Sequence, residues 1–376
     1  MEYKQLRVII SGGGTGGHIF PAVSIAHRLK ALNPATENLF VGAEGKMEME
    51  KVPAEGFRIV GLPIVGMQRQ LTLKNILNDL TVPFRLLDSL RQARAILRDF
   101  KPDVAVGVGG YASGPLLWAA TGMKIPALIQ EQNGFAGLTN KLLGSRVQTI
   151  CVAYEGMEKF FPAQKLVMSG NPIRPAVSQP ATEALKAEAL AHFGLSPRKK
   201  HVFVVGGSLG SGTLNRAMQH WIQDGCPGGE DVEFIWQCGK YYKKGIDAFL
   251  AAHSGLEGIQ AHDFIGRMDL AYAAADAVIS RSGASTVSEL CAMHKAAIFV
   301  PSPNVAEDHQ THNAMALVRR DAALIVKDAE APEALLPAAV ELLKDPARIA
   351  SLEENAGKMA LTQAAQVICD EAYKLI

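Results

Sequence analysis

The stretch Arg7–His18, RVIISGGGTGGH, decides the reading of this 376-residue chain, and a second stretch, His201–Gly212, HVFVVGGSLGSG, repeats its design. Each is a short apolar run, long enough for one buried strand, that breaks into a glycine-rich turn. After the first turn Ile19, Val23, Ala26 and Leu29 follow at helical spacing. Strand, glycine turn and helix in that order open a doubly wound α/β sheet, and two copies imply two such sheets.

Outward from the first copy, strand-like runs recur at Leu6–Ile10, Leu39–Val41, Arg58–Val60, Val104–Gly107, Ala127–Ile129 and Thr149–Val152, with helical stretches between them. That alternation predicts a parallel sheet covered by helices on both faces. Residues 170–182, GNPIRPAVSQPAT, break the rhythm with three prolines. The alternation restarts at His201–Val205, Glu233–Gln237, Ile259–Ala261, Ala277–Ser280, Ala297–Val300 and Leu324–Val326, and the tail from Ala331 reads as helical. The expected organisation is a Rossmann-like domain over 1–170, a linker over 171–182, a second Rossmann-like domain over 183–360, and a closing helix over 361–376 that returns to the first domain.

Bulk properties narrow the class. Hydrophobic residues are 48% and charged residues 20%, ordinary for a globular α/β protein. The net charge of +1 gives no reason to expect nucleic acid as a partner. The halves differ: residues 1–170 hold 19 basic against 13 acidic residues, the remainder 19 against 24. A basic first half suits an anionic partner or membrane surface, although chance variation in surface charge gives the same numbers. Five cysteines without a CxxC pair read as small core residues in a reducing compartment. No run of about 18 apolar residues is present to span a bilayer.

Three strand ends of the first half carry polar or glycine-rich loops. Gly12, Gly14 and Gly17 fit GxGxxG after a strand and before a helix, so the backbone can approach phosphate and free helix N–H groups can face it. A tight turn with packing glycines would look alike, and the loop alone leaves open a dinucleotide, a sugar nucleotide or an acceptor pyrophosphate. A dehydrogenase needs an acid after the second strand, and Glu44 is near that place. His18 opens the helix, where the dipole disfavours imidazolium and leaves a proton acceptor; a plain loop-bonding histidine is the alternative. Gly107–Gly114 carries Tyr111 and Ser113, and QEQNGFAGLTN at 130–140 carries Glu131, Asn133 and Asn140, which suit sugar hydroxyls or simple turn chemistry.

In the second half Gly206–Gly212 offers Ser208, and Arg281–Glu289, RSGASTVSE, offers hydroxyls and amides at a helix start, a diphosphate cradle. Glu289 can accept two ribose hydroxyls or can simply complement the helix dipole. DHQTHN at 308–313 presents Gln310 and Asn313 to a sugar, with Asp308 as N-cap. No HExxH, paired CxxC or DxD signature is present, and His309 and His312 lack a matched carboxylate, so no metal site is expected. Between Gln68 and Lys101 seven cations and three acids mix with apolar residues. Leu71–Leu87 reads as a basic amphipathic stretch for an anionic membrane, and Leu90–Phe100 as a core-packing helix with a solvated basic face.

Taken in order, GGGTGGHIFPA, GVGGYASGP, EQNGFAGLTNKLL, GNPIR, GGSLGS, RSGASTVSEL and DHQTHNA resemble the MurG family over residues 7–320. The resemblance implies a two-domain GT-B glycosyltransferase with its site in the cleft between domains and no cofactor. It implies transfer of GlcNAc from UDP-GlcNAc to the C4 hydroxyl of MurNAc in lipid I, giving lipid II for peptidoglycan. It also implies peripheral attachment to the cytoplasmic face of the inner membrane, with other cell-wall synthesis proteins as partners. Thr15, Gly16, Gly17, Asn133, Arg174, Ser208, Ile265, Gln310 and the stretch Ala284, Ser285, Thr286, Val287, Ser288 and Glu289 match nucleotide-sugar contacts. His18 matches the family's catalytic base, with Glu131 and Tyr111 as the neighbouring candidates. Ser285 stands where Leu is common in the family. A UDP-GlcNAc 2-epimerase on the same fold is the main rival; it would leave the basic apolar stretch without a purpose. An NAD-dependent oxidoreductase would leave the second set of loops unused.

Overall fold

The structure, a computed structural model, describes residues 2–64, 73–207, 209–253, 256 and 258–376, with the side chains of 73–84 and of 306 outside that description. The chain divides into two compact units, Met1–Arg174 together with Gln363–Ile376, and Pro175–Thr362.

The first unit holds β1 (Arg7–Ser11), β2 (Glu37–Ala43), β3 (Arg58–Leu62), β4 (Val104–Gly107), β5 (Ala127–Glu131), β6 (Thr149–Val152) and β7 (Leu166–Met168). All pair in parallel, in the order β3-β2-β1-β4-β5-β6-β7. The chain builds outward from β1 to β3, then crosses back to lay β4 on the other side of β1. The order therefore reverses between β1 and β4, and the loops leaving their carboxyl ends part there to leave a crevice.

Both faces of this sheet are buried, as parallel strands require. Along β1, Ile9 joins one core cluster with Ala105, Ile129, Leu97 and Leu117. Val8 and Ile10 point the other way, into a cluster with Val23, Ile25 and Leu29. Each such fully buried aliphatic side chain contributes about 1.5–3 kcal/mol. The closing helix Ala364–Lys374 buries Ile368 and Cys369 in that second cluster, and the Tyr3 hydroxyl donates to Asp370 Oδ1 at 2.8 Å.

The second unit repeats the plan with β8 (Lys200–Val205), β9 (Val232–Gln237), β10 (Ile259–His262), β11 (Ala277–Ser280), β12 (Ala297–Phe299) and β13 (Leu324–Ile325). The order β10-β9-β8-β11-β12-β13 puts its reversal between β8 and β11. The two glycine-ended strands of the sequence, β1 and β8, thus take the same central place in their own sheets. All five cysteines are free thiols, four of them buried, and burial pushes those of Cys291 and Cys369 up to about 12.

The doubly wound α/β class read from the sequence is the observed one. β7 is the strand that the pattern missed, being three residues at the sheet edge. The helix Leu73–Phe100 covers most of the basic segment. Of the Leu71–Leu87 stretch, residues 71–72 and the side chains of 73–84 lie outside the described residues. Beyond them Ala93, Leu97 and Phe100 are buried while Arg91, Arg94 and Arg98 are exposed, a core-packing helix with a basic outer face.

Candidate functional site

In the first unit the loops leaving β1, β2, β4 and β5 interlock through glycine. The helix Gly16–Leu32 starts at Thr15, whose extended backbone caps it. Gly14 has φ +86°, a conformation that glycine adopts without steric cost. A Cβ at Gly110 would lie 2.3 Å from the Gly13 carbonyl oxygen, and one at Gly109 would lie 2.7 Å from His18 Nε2. Only glycine lets these loops pack backbone on backbone with the histidine ring between them. Thr15 Oγ1 is 3.2 Å from His18 Nδ1, and the half-exposed Tyr111 ring lies over Gly14. Thr15, Gly16, Gly17, His18 and Tyr111 are therefore gathered at one edge of the sheet.

Glu131 is placed differently. It is 2% exposed, and its oxygens accept from its own loop: Gly137 N–H at 3.0 Å, Asn140 Nδ2 at 2.9 Å and Asn133 N–H at 3.1 Å. Burial pushes its carboxyl above the ordinary range, against the lowering effect of those N–H donors. The geometry gives Glu131 the work of shaping the loop 131–140, and Asn133 is held in that loop by it.

A carboxylate that the sequence reading passed over supports the first loop. Glu48, fully buried, accepts the Gly14 N–H at 2.9 Å and the Ala43 N–H at 3.0 Å. Gly13 and Gly42 make room for it, since a Cβ at either would lie within 2.6 Å of its side chain. Glu44, the acid considered for a dehydrogenase, is exposed.

In the second unit the helix Ala284–Ala292 follows β11 with Gly283 at its N-cap and no side-chain cap. The first amides of such a helix have no partner inside it and suit an anion. Ala284, Ser285, Thr286 and Ser288 are half-buried there, while Val287 turns its side chain into the core and gives its N–H to Gly283. Glu289 is 6% exposed and accepts the Tyr272 hydroxyl at 3.0 Å. Gln310 is drawn into the same cluster: its Oε1 accepts the Ser302 N–H, and its carbonyl accepts from Ser282 Oγ. Asp308 does take the N-cap position, but at φ +49° and with its carboxylate on the Thr311 hydroxyl rather than on a backbone amide. Arg281 ties the end of β11 to Asp328 and to the carbonyls of Val300 and Pro301.

Ile265 is buried, and its N–H donates to Gln237 Oε1 at 2.8 Å. Ser208 lies outside the described residues. Arg174, exposed, is the last residue of the first unit's main segment. Sequence reasoning missed Tyr272, Gln237 and Glu48. Gln237 had a signal, a polar residue ending the apolar strand VEFIWQ; Glu48 sits among Glu44 and Glu50 with nothing in the pattern to single it out.

The comparisons with known proteins agree with this arrangement. The glycosyltransferase family 28 N-terminal domain matches residues 8–152, and the family 28 C-terminal domain matches residues 201–368. A relative from Parabacteroides distasonis is 53% identical, covering 99% of each chain, and one from Bacteroides thetaiotaomicron is 50% identical, covering 99% of this chain and 98% of its own. Both are named UDP-N-acetylglucosamine–N-acetylmuramyl-(pentapeptide) pyrophosphoryl-undecaprenol N-acetylglucosamine transferase. The crystal structure of Acinetobacter baumannii MurG superposes with a TM-score of 0.78 at 28% identity, over 98% of this chain and 99% of that one. With both halves of family 28 matched in order and half of all positions shared with such relatives end to end, the chain belongs to the MurG family of hexosyltransferases.

Proposed function

We propose that this enzyme transfers GlcNAc from UDP-GlcNAc to the C4 hydroxyl of MurNAc in lipid I, with inversion, and so makes lipid II for peptidoglycan. The observation that carries this reading is the full-length identity to relatives named for that transfer, with each sheet carrying its own glycine-rich loop at its topological switch point. One loop set is then available to each substrate.

In this reading the second unit holds the donor. The amides opening the helix Ala284–Ala292 receive the diphosphate, Glu289 the ribose, and Gln310 the sugar. The UDP leaving group gains negative charge as the glycosidic bond breaks, and fixed N–H dipoles stabilise it without reorganising. The first unit meets the acceptor through the loops of Thr15–Gly17 and Gly107–Gly114. His18, beside Thr15, takes the proton from the attacking hydroxyl; such help is worth about 10²–10⁴ in rate. Glu131, occupied by its own loop, is the less suited of the neighbouring candidates for that step.

The acceptor is a lipid, and no helix among the described residues is long and apolar enough to cross a membrane. Peripheral attachment to the cytoplasmic face fits the surface of the first unit. Leu87 and Leu86 are 65% and 42% exposed on the helix Leu73–Phe100, which packs on the helix Ser113–Gly122; that helix in turn packs on Leu138–Gly144. Those neighbours expose Trp118, Leu138 and Leu142, and Arg85, Arg91, Arg94 and Arg98 are exposed on the first. Apolar side chains set among cations suit an anionic bilayer surface.

The test is transfer of labelled GlcNAc from UDP-GlcNAc to a short-chain lipid I analogue, with EDTA present. Labelled disaccharide lipid is the expected product. Release of free sugar or of a 2-epimer, with the lipid unlabelled, would overturn the reading in favour of a hydrolase or epimerase.

A further inference from the structure

Gln237 ends β9, the strand lying between β8 and β10, and is 3% exposed. Its register partners are Val205 on one side and His262 on the other, so its side chain emerges where the loops of both neighbours begin. Its two amide ends bond in opposite senses. Nε2 donates to the Gly207 carbonyl at 2.9 Å, and Oε1 accepts the Ile265 N–H at 2.8 Å. Gly207 belongs to the glycine loop after β8, and Ile265 to the loop after β10.

The loop after β8 is also fixed from behind. A Cβ at Gly210 would lie 2.1 Å from the Cys238 carbonyl oxygen, and one at Gly239 would lie 2.4 Å from that of Leu209. Backbone contact thus fixes Leu209 and Gly210 over the sheet, and the Gln237 amide bridges Gly207 to the Ile265 loop.

We infer that Gln237 is a positioning residue for the donor nucleotide, holding the Gly206–Gly212 loop and the Ile265 loop at the separation that UDP requires. The inference rests on the reading that the second unit binds UDP-GlcNAc. The chemistry of the pair asks for this residue type. One partner is a carbonyl and needs a donor; the other is an N–H and needs an acceptor. Glutamate supplies the acceptor but sets a second oxygen against the Gly207 carbonyl. Asparagine has both ends but is one methylene short. Methionine fills the volume with neither bond.

The experiment measures calorimetric affinity for UDP, the KM for UDP-GlcNAc, the KM for a lipid I analogue, kcat and Tm on the full chain carrying Gln237→Glu, Gln237→Met or Glu289→Ala. Loss of a bridge between the Gly207 carbonyl and the buried Ile265 amide should weaken UDP binding and raise the donor KM by roughly tenfold. The acceptor KM should stay put, and kcat should recover at saturating donor. A general packing defect would instead lower Tm and kcat together without separating donor from acceptor, and that result overturns the inference. Wild-type UDP affinity in both Gln237 variants, with affinity lost in Glu289→Ala, overturns it and leaves the donor reading standing. Unchanged affinity in all three variants overturns both.

Discussion

The Glu48 carboxylate lies under the first glycine loop, its Oε2 2.9 Å from the Gly14 amide nitrogen. Its other oxygen takes the Ala43 N–H at the end of β2. A single buried side chain thereby joins the loop carrying Thr15 and His18 to the neighbouring strand. Glu48→Ala leaves two backbone donors without an acceptor and opens space beneath Gly13. At about 1–3 kcal/mol per orphaned group, the variant should lose roughly 2–6 kcal/mol of stability. Chemical denaturation followed by circular dichroism measures this. A loss under about 0.5 kcal/mol, the size of an ordinary surface change, would mean that Glu48 does not hold the loop.

His18 should separate chemistry from binding. Its ring rests against Gly109, and Thr15 Oγ1 lies 3.2 Å from its Nδ1, which fixes the ring at the glycine loops. His18→Ala is expected to lower kcat by about 10²–10⁴-fold with UDP affinity unchanged. Thr15→Val, which removes only the oxygen beside Nδ1, should cost roughly tenfold. Steady-state kinetics with calorimetric UDP binding decide the matter, and near-normal turnover in His18→Ala would take the base role from this residue.

In the proposed donor site, Tyr272 orients Glu289. Its hydroxyl donates to Glu289 Oε2 at 3.0 Å from a fully buried position. Tyr272→Phe keeps the ring packing and deletes that bond, weakening the hold on the carboxylate. The KM for UDP-GlcNAc should rise a few-fold to roughly tenfold, with kcat and acceptor KM little changed. An unchanged donor KM would show that Glu289 needs no such orientation, or that it does not meet the ribose.

What the sequence made legible follows from how each feature is encoded. Strands such as Val104–Gly107 and Ala277–Ser280 lie where their apolar runs put them, because a strand buried on both faces must be apolar along its length. Clustered glycines marked the loops because close backbone approach leaves no other choice of residue, as at Gly110 against Gly13. The short strand Leu166–Met168 has too few residues for a period to show. Glu48 and Tyr272, and the bonding of Gln237 though not its place at a strand end, were hidden for another reason. Each works by bonding a group far away in sequence, and neither composition nor spacing records which of several glutamates, glutamines or tyrosines turns inward. Glu131 illustrates the converse: its position at a strand end was legible, but the orientation of its carboxylate into its own loop was not.

Acid should weaken the fold through Asp276. At the amino-terminal edge of the second sheet, Asp276 accepts the His201 N–H at 2.9 Å, with the His201 ring 3.6 Å from the same oxygen and Lys186 Nζ 3.6 Å from the other. Burial alone would raise the Asp276 carboxyl, but the His201 ring and backbone N–H, with Lys186 and Lys200 behind them, outweigh it and hold it at about 2. Because the folded value lies below the unfolded one, the carboxylate stabilises the fold at every pH above the unfolded value of about 3.9, and that contribution is lost as pH falls towards 2. Allowing for solvent screening of a partly exposed group, its size is about 1–2 kcal/mol. Asp276→Asn should therefore be less stable than the parent at pH 7. The gap should hold down to about pH 5, shrink below about pH 4, and be largely gone by about pH 2. Urea melts of both proteins across that range measure it. A gap that stayed constant with pH would mean that the asparagine costs packing or backbone bonding instead, and that the charge of Asp276 contributes nothing.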